Sequence, residues 1–366
     1  MIDNNFINKC QIGFSKKART SDHIFVLKTL IDKYINRKGE KLFACFIDLR
    51  KAFDTVIHAG IRYKLIKYGI SGKLYAIIKD MYRKSELCVR INNKITPTFK
   101  SFVGVKQGDV LIPNVFKLFL NDLPEIFKNA SGSVNVNNNR VDCLMYADDI
   151  VIFSETQEGL QERMDLLHTY CSNWCLSVNL SKTNVVIFNK AGKCLKHPIY
   201  FNGTLIRSAS LYRYLGFTIS SSGKFNQCKL DLYKKSMKAY FKLQNCLSST
   251  NPSIDTFLHL YDHTIKPILT YGSEIWGMFS VDLSSCREKS DYCFEFFFLN
   301  RDIQSNHINF FKYILGVNRK TTNIAVMSEL GRYPIYFSVI LAMLKYCHRL
   351  EGQQEGLLFD AYICKE

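Results

Sequence analysis

The chain has no apolar run of the roughly 18 residues that a bilayer-spanning helix needs. Its opening, MIDNNFINKC, contains no signal-type apolar core. These absences lead to the expectation of a soluble, intracellular protein, nuclear or cytoplasmic, with no membrane partner. The 13 cysteines are odd in number, form no CxxC pair and follow no disulfide-framework spacing, a usage that suits a reducing compartment. Acid is also short, with 32 Asp and Glu against 49 Lys and Arg, for a net charge of +17. The basic excess is spread along the chain rather than packed in a tail. That field favours a polyanionic partner, nucleic acid ahead of an anionic membrane, although composition alone leaves a merely basic soluble protein open. With 366 residues, 47% of them hydrophobic, the chain can bury a core divided over two or three subdomains, which argues against global disorder.

Among the scarce acids, two stand together. Residues 143–153 read CLMYADDIVIF, two apolar runs rich in β-formers around an acidic centre, which predicts a tight hairpin with Asp148 and Asp149 at its tip. Adjacent carboxylates buttressed by apolar strands repel, and without a cation at least one has a raised pKa. A solvated surface turn is the plain alternative. A second acid follows a strand-length apolar run, LFACFI at 42–47, which ends abruptly in Asp48. A loop with Phe53 and Asp54 and then a helix from about residue 59 to 68 complete a strand-loop-helix unit, placing Asp48 at the strand's carboxyl edge, where αβ proteins put ligands. Taken alone, Phe53 reads as a core aromatic and Asp54 as a helix N-cap.

Upstream, QIGFSKKART leads into a helix over 21–34 capped by Ser21 or Asp22. The helix's positive end beside Lys16, Lys17 and Arg19 offers an anion site, with a solvated charged turn as the equal alternative. Further helices are expected over 71–84, 112–127 and 158–174, and hairpins around Asn92-Asn93 and Asn202-Gly203. Pro113 suits a first helical turn, and Gly108 in GVKQGD permits close backbone approach to a ligand. Residues 130–140 read as a polar surface loop. His168, Cys171 and Cys175 fall at i, i+3 and i+7. No fourth ligand follows at finger spacing, so a core-facing stripe outweighs a zinc site. A lysine-rich helix over 224–246 is expected to bury Tyr233, Tyr240 and Phe241 and to track a phosphate backbone with its lysines.

If the strands ending at Asp48 and starting near Asp149 lie in one sheet, three carboxylates meet at its edge. Such a set suits two hard divalent cations and in-line phosphoryl displacement, which is polymerase chemistry. The ordered series QIGFSKKARTSDHIF, FIDLRKAFDTV, GVKQGDVLIPNVFKLFLNDL, YADD, NLSKTNVVIF and YLGF resembles the reverse-transcriptase domain of non-LTR retrotransposons, the jockey-like, LINE-type elements in particular. KPILTYGSEIWG and FFKYILGVNRKTTNIAVMSELGRYP resemble the region that follows, leaving about 278–309 unmatched as an insertion or frame error.

The resemblance implies an α+β right-hand polymerase with a mixed palm sheet, partial fingers over 1–41, a palm over 42–220, and a helical thumb with C-terminal extension over 221–366. It implies an RNA-directed DNA polymerase using two Mg2+ ions, or Mn2+, an RNA template, a DNA primer and dNTP. Asp48, Asp148, Asp149 and the Leu49 carbonyl would hold the metals, and Phe53 would exclude a 2′-hydroxyl. Gln107 and Gly108 would line the nucleotide pocket, with Lys16, Lys17 and Arg19 on its anionic side. Lys182 would protonate pyrophosphate, where an ordinary solvated lysine is the alternative. Tyr214, Leu215 and Gly216 would grip the primer. Two departures bear on nucleotide affinity: Ser15 stands where the family usually has a triphosphate-facing arginine, and Ile112 where it has serine. The chain also starts within the usual fingers region, without the apurinic-type endonuclease of intact elements, so a truncated copy is expected. The competing reading is a catalytically inactive nucleic-acid-binding remnant, and an RNA-synthesising polymerase is disfavoured by Phe53.

Overall fold

The computed structural model describes residues 7–15, 18–37, 39–106, 108–137, 139–194, 197–247, 252–280, 301–353 and 356–364. The expected insertion at 278–309 therefore lies largely outside the described residues. Two compact units are present, Met1–Ser210 with Gly356–Glu366, and Leu211–Glu355. The sequence placed a boundary near 220 and kept 221–366 together, whereas helix Leu357–Ile363 packs on the first unit's opening helix.

That opening helix, α1, is Thr20–Ile35. Its N-cap is Arg19 rather than Ser21 or Asp22, and the Asp22 carboxylate accepts from the Arg19 N–H at 2.9 Å, satisfying a helix-end donor from the third position. The apolar run after it becomes β1, Leu42–Asp48, every residue of which is buried until Asp48. Helix α2, His58–Lys67, begins after Ile57, so Asp54 is not its cap. Helix α3, Gly72–Arg83, is followed by short paired strands that turn at Asn92-Asn93, both residues with positive φ. Helix α4 covers only Ile112–Phe119. The apolar period continues, but a turn intervenes and Leu123–Phe127 forms a 3-10 turn that holds Pro124, which has no N–H to extend an α-helical ladder. Within 130–140, Val134 and Val136 are buried, so the stretch is not purely a surface loop.

The central hairpin consists of β2, Cys143–Tyr146, and β3, Asp149–Ser154. Helix α5, Gln157–Asn173, starts at Thr156, whose hydroxyl accepts from Gly159 N–H at 3.0 Å. Strand β4, Asn184–Phe188, and the short β5, Arg207–Ser208, complete a five-stranded mixed sheet of order β5-β4-β1-β3-β2. Only β4 and β5 run parallel. Period-2 alternation sorts its faces: Phe43, Cys45, Ile47, Met145, Ile150 and Ile152 join the core with residues of α2, α4 and α5, while α1 packs on the opposite face.

The second unit opens with a hairpin, Leu211–Tyr214 and Phe217–Ser220, and continues with helix α6, Asn226–Leu247. Its core gathers Tyr261, Trp276, Phe311, Tyr346 and Leu350. Helix α6 buries Cys228, Leu232 and Ser236 at four-residue spacing and exposes Lys234, Lys235, Lys238 and Lys242, as its basic character predicted. Phe241, expected to be buried, is exposed, while the Tyr240 ring packs on Phe310 and Tyr313.

Candidate active site

Asp48 ends β1, Asp149 begins β3, and the two are direct partners in the ladder. Opposed residues of an antiparallel pair project to one side, so their carboxylates share a face, with Tyr146 of β2 opposite Asp149 on the same row. Asp148 is the second residue of the two-residue turn Ala147-Asp148, so only one of the paired acids occupies the turn itself. Burial pushes the Asp148 carboxyl up, and the charge of Asp48 adds to it. Asp149 is pushed up to about 6, by burial first and then by Asp148 and Asp48. Mutual repulsion of this kind is what a divalent cation relieves. Among the described residues no group of three or more Asp, Glu, His or Cys side chains is arranged to hold an ion alone. Mg2+ commonly takes one or two carboxylates and completes its shell with water and substrate phosphates, and these acids fit that mode rather than a closed cage.

The end of β1 is wrapped by residues 177–183. Asn179 Nδ2 donates to Asp48 Oδ2 at 3.0 Å, and the Asn179 N–H donates to the Asp48 carbonyl at 2.7 Å. Thr183 Oγ1 accepts from the Asp48 N–H at 3.2 Å. The Lys182 ammonium lies 3.8 Å from Asp48 Oδ1 and is otherwise exposed. Sequence reasoning singled out Lys182 and missed Asn179, three residues before it. It also missed Gln11, a buried side chain hydrogen-bonded to both backbone groups of Ala147. The Leu49 side chain is buried, which leaves its backbone as the part able to serve a ligand.

Phe53 is partly buried, its ring 4.5 Å from that of Phe116 on α4. Val105 N–H donates to the Phe53 carbonyl at 2.9 Å and Gly104 N–H to that of Val56 at 2.8 Å, so the loop leading to Gly108 lies beside the turn that follows Asp48. Gly108 has φ 95° with nothing within 4 Å of a would-be Cβ, a backbone only glycine adopts readily. Gln107, Lys16 and Lys17 lie outside the described residues, and Arg19 is exposed at the head of α1. Nearby, His23 in the first turn of α1 meets Tyr146 edge-on at 5.9 Å, and burial lowers its pKa to about 3.

The two departures have distinct surroundings. Ser15 Oγ accepts from the buried Lys117 ammonium at 2.7 Å. Ile112 is part of the hydrophobic core. Cys171 is buried and its thiol is pushed up to about 12, and His168 packs edge-on against Phe201, but Cys175 lies past the end of α5 and is exposed, so the expected core-facing stripe reduces to Cys171 with half-buried His168. In the second unit, Leu215 and Gly216 form the turn of the opening hairpin with φ 47° and 86°. Tyr271 Oη donates to the Leu215 carbonyl at 3.0 Å, and Tyr214 is buried.

A mixed sheet thus brings Asp48, Asp148 and Asp149 to one edge, with the Phe53 turn beside them. Residues 1–219 match the family described as reverse transcriptase (RNA-dependent DNA polymerase), and the chain belongs to that family. Its α+β architecture is accordingly that of a right-hand polymerase. The chain is similar to the RNA-directed DNA polymerase from mobile element jockey of Drosophila melanogaster, 26% identical over 280 residues, 74% of this chain and 30% of the relative. The probable RNA-directed DNA polymerase from transposon BS of the same organism is 28% identical over 290 residues, 76% of this chain and 31% of the relative. The chain thus spans less than a third of these relatives. Among solved structures it is similar to apo telomerase from Candida tropicalis, with a TM-score of 0.44 and 11% identity over 97% of this chain and 57% of that one. No helix among the described residues is long and apolar enough to cross a membrane.

Proposed function

We propose that this chain carries the catalytic centre of an RNA-directed DNA polymerase of a non-LTR retrotransposon, extending a DNA primer on an RNA template. The observation that carries this reading is the ladder pairing of Asp48 with Asp149 beside Asp148, inside the residues that match the family. Two Mg2+ ions, or Mn2+, held by these acids and the Leu49 carbonyl would activate the primer hydroxyl and neutralise charge on the triphosphate. In the reaction the primer 3′-hydroxyl loses its proton to solvent as its oxygen bonds to the α-phosphorus, the bond from that phosphorus to the α–β bridging oxygen breaks, and pyrophosphate leaves. Asn179 holds the Asp48 carboxylate in place. The exposed Lys182 ammonium beside it is positioned to give a proton to pyrophosphate. Phe53, braced by Phe116, is the wall against a 2′-hydroxyl. Gln107 and Gly108 line the nucleotide, with Lys16, Lys17 and Arg19 on its anionic side. The exposed lysines of α6 and the turn around Tyr214, Leu215 and Gly216 engage the template-primer, α6 acting as the thumb.

Purified protein given poly(rA)-oligo(dT), magnesium and dTTP is expected to extend the primer, and Asp148→Asn to abolish extension. Soluble, folded protein that incorporates nothing would sink this reading. Salt-dependent binding of the hybrid without incorporation marks an inactive nucleic-acid-binding protein instead, and preferential use of ribonucleotides marks an RNA-synthesising one.

A further inference from the structure

The turn that carries Asp148 is held from outside by one side chain. Gln11 Oε1 accepts from the Ala147 N–H at 3.1 Å while Gln11 Nε2 donates to the Ala147 carbonyl at 3.3 Å. The same Oε1 accepts from the Gly13 N–H at 3.1 Å, and Gln11 is only 2% exposed. Its own segment is fixed alongside β2: Gln11 bridges Met145 in parallel, Met145 N–H donates to the Cys10 carbonyl at 2.8 Å, and Ile12 N–H donates to the Met145 carbonyl at 3.1 Å. Gly13 presses on the same turn, since a Cβ there would lie 2.2 Å from the Ala147 nitrogen.

Ala147 needs such support. Its φ of 59° is left-handed, a conformation that costs any residue with a Cβ, and two-residue hairpin turns usually place glycine or asparagine at such positions. Alanine does not favour that backbone intrinsically. Release of Ala147 to negative φ would rotate the following residue, Asp148, whereas Asp48 and Asp149 are fixed by the ladder. The amide clamp therefore acts selectively on one of the three acids.

We propose that Gln11 is a positioning residue for nucleotidyl transfer: its amide locks Ala147 in the left-handed conformation and so fixes the aim of the Asp148 carboxylate. The inference rests on the polymerase reading of this site. Gln11→Leu keeps most of the volume and removes all three side-chain hydrogen bonds, the two to Ala147 and the one from Gly13. It is expected to lower kcat for dTTP incorporation about a hundredfold, the usual effect of a small misplacement at a reacting centre, with KM for dTTP near the wild-type value. Ala147→Gly added to that variant is expected to recover most of the rate, because glycine takes positive φ unaided. A side chain that merely fills space would lower the melting temperature and show no such recovery. A second readout needs no activity: the Ala147 amide should exchange with solvent faster in Gln11→Leu, while the amides of Ile150–Ile152 stay protected. An unchanged kcat, a loss that Ala147→Gly does not recover in folded protein, or unchanged exchange at Ala147 overturns the clamp. Wild-type protein that incorporates nothing but loses Ala147 protection on Gln11→Leu overturns the polymerase reading and leaves the clamp standing. If Gln11→Leu does not fold, Gln11→Asn, which keeps an amide on a shorter stem, takes its place with the same expected directions.

Discussion

Asp149 stands at the exposed start of β3, yet partial desolvation of its carboxyl and then the negative charges of Asp148 and Asp48 push its pKa up to about 6. An acid whose native pKa exceeds its unfolded value stabilises the fold at low pH and gives that stability up as pH rises. For Asp149 the window runs from the ordinary value of 3.8 to about 6. A divalent cation competes with this proton, so its affinity runs the other way and grows as pH rises through the same window. The rise in melting temperature on adding Mn2+ is therefore expected to be small at about pH 5 and large at about pH 7.5, and Asp149→Asn to remove most of the difference. An equal Mn2+ effect at both pH values would take Asp149 out of the cation site. The three acids were legible because apolar strand-length runs stop on them. Gln11 and Asn179 were not, because each bonds to groups more than a hundred residues away that come together only when the sheet forms. For Asn179 the available signal was its place in the same NLSK stretch as Lys182.

Strands β1 to β4 could be read from apolar runs alone, and the hairpins at Asn92-Asn93 and Asn202-Gly203 from their turn residues. The stop of α4 was less visible, because apolar spacing continues through a break governed by Pro124. What anchors the central hairpin to α5 was also hidden. Arg163, fully buried on α5, reaches Asp142 Oδ1 at 2.5 Å, directly before β2, and donates to the Gly159 carbonyl at 2.9 Å and to that of Ser131. Arg140 closes the same carboxylate from the other side at 2.6 Å. Truncating one member of a buried charged network strands the rest, so Arg163→Met is expected to cost about 3–5 kcal/mol in urea unfolding. A loss below about 1 kcal/mol would mean that Arg140 alone satisfies Asp142, since an isolated buried carboxylate costs more than that.

Nothing in composition marks Ser210, where the first compact unit breaks off, and the return of Leu357–Ile363 to α1 depends on contacts with a helix more than three hundred residues earlier. The charge of the whole molecule was legible at once, and it makes a quantitative demand. A surplus of +17 with exposed lysines along α6 is suited to displacing counterions from a nucleic-acid backbone. Each phosphate neutralised contributes about −0.9 to the slope of log affinity against log salt, so roughly six contacts imply a slope steeper than about −5 and a thousandfold loss between about 50 and 200 mM salt. Fluorescence anisotropy with a labelled RNA–DNA hybrid measures this directly. Lys234→Gln with Lys238→Gln is expected to reduce the slope by up to about two while weakening binding similarly for all sequences, because phosphate contacts carry no base information. A slope near −1 with the folded 366-residue chain would show that the basic surplus is only a solvated surface, and the nucleic-acid reading of its charge would fall with it.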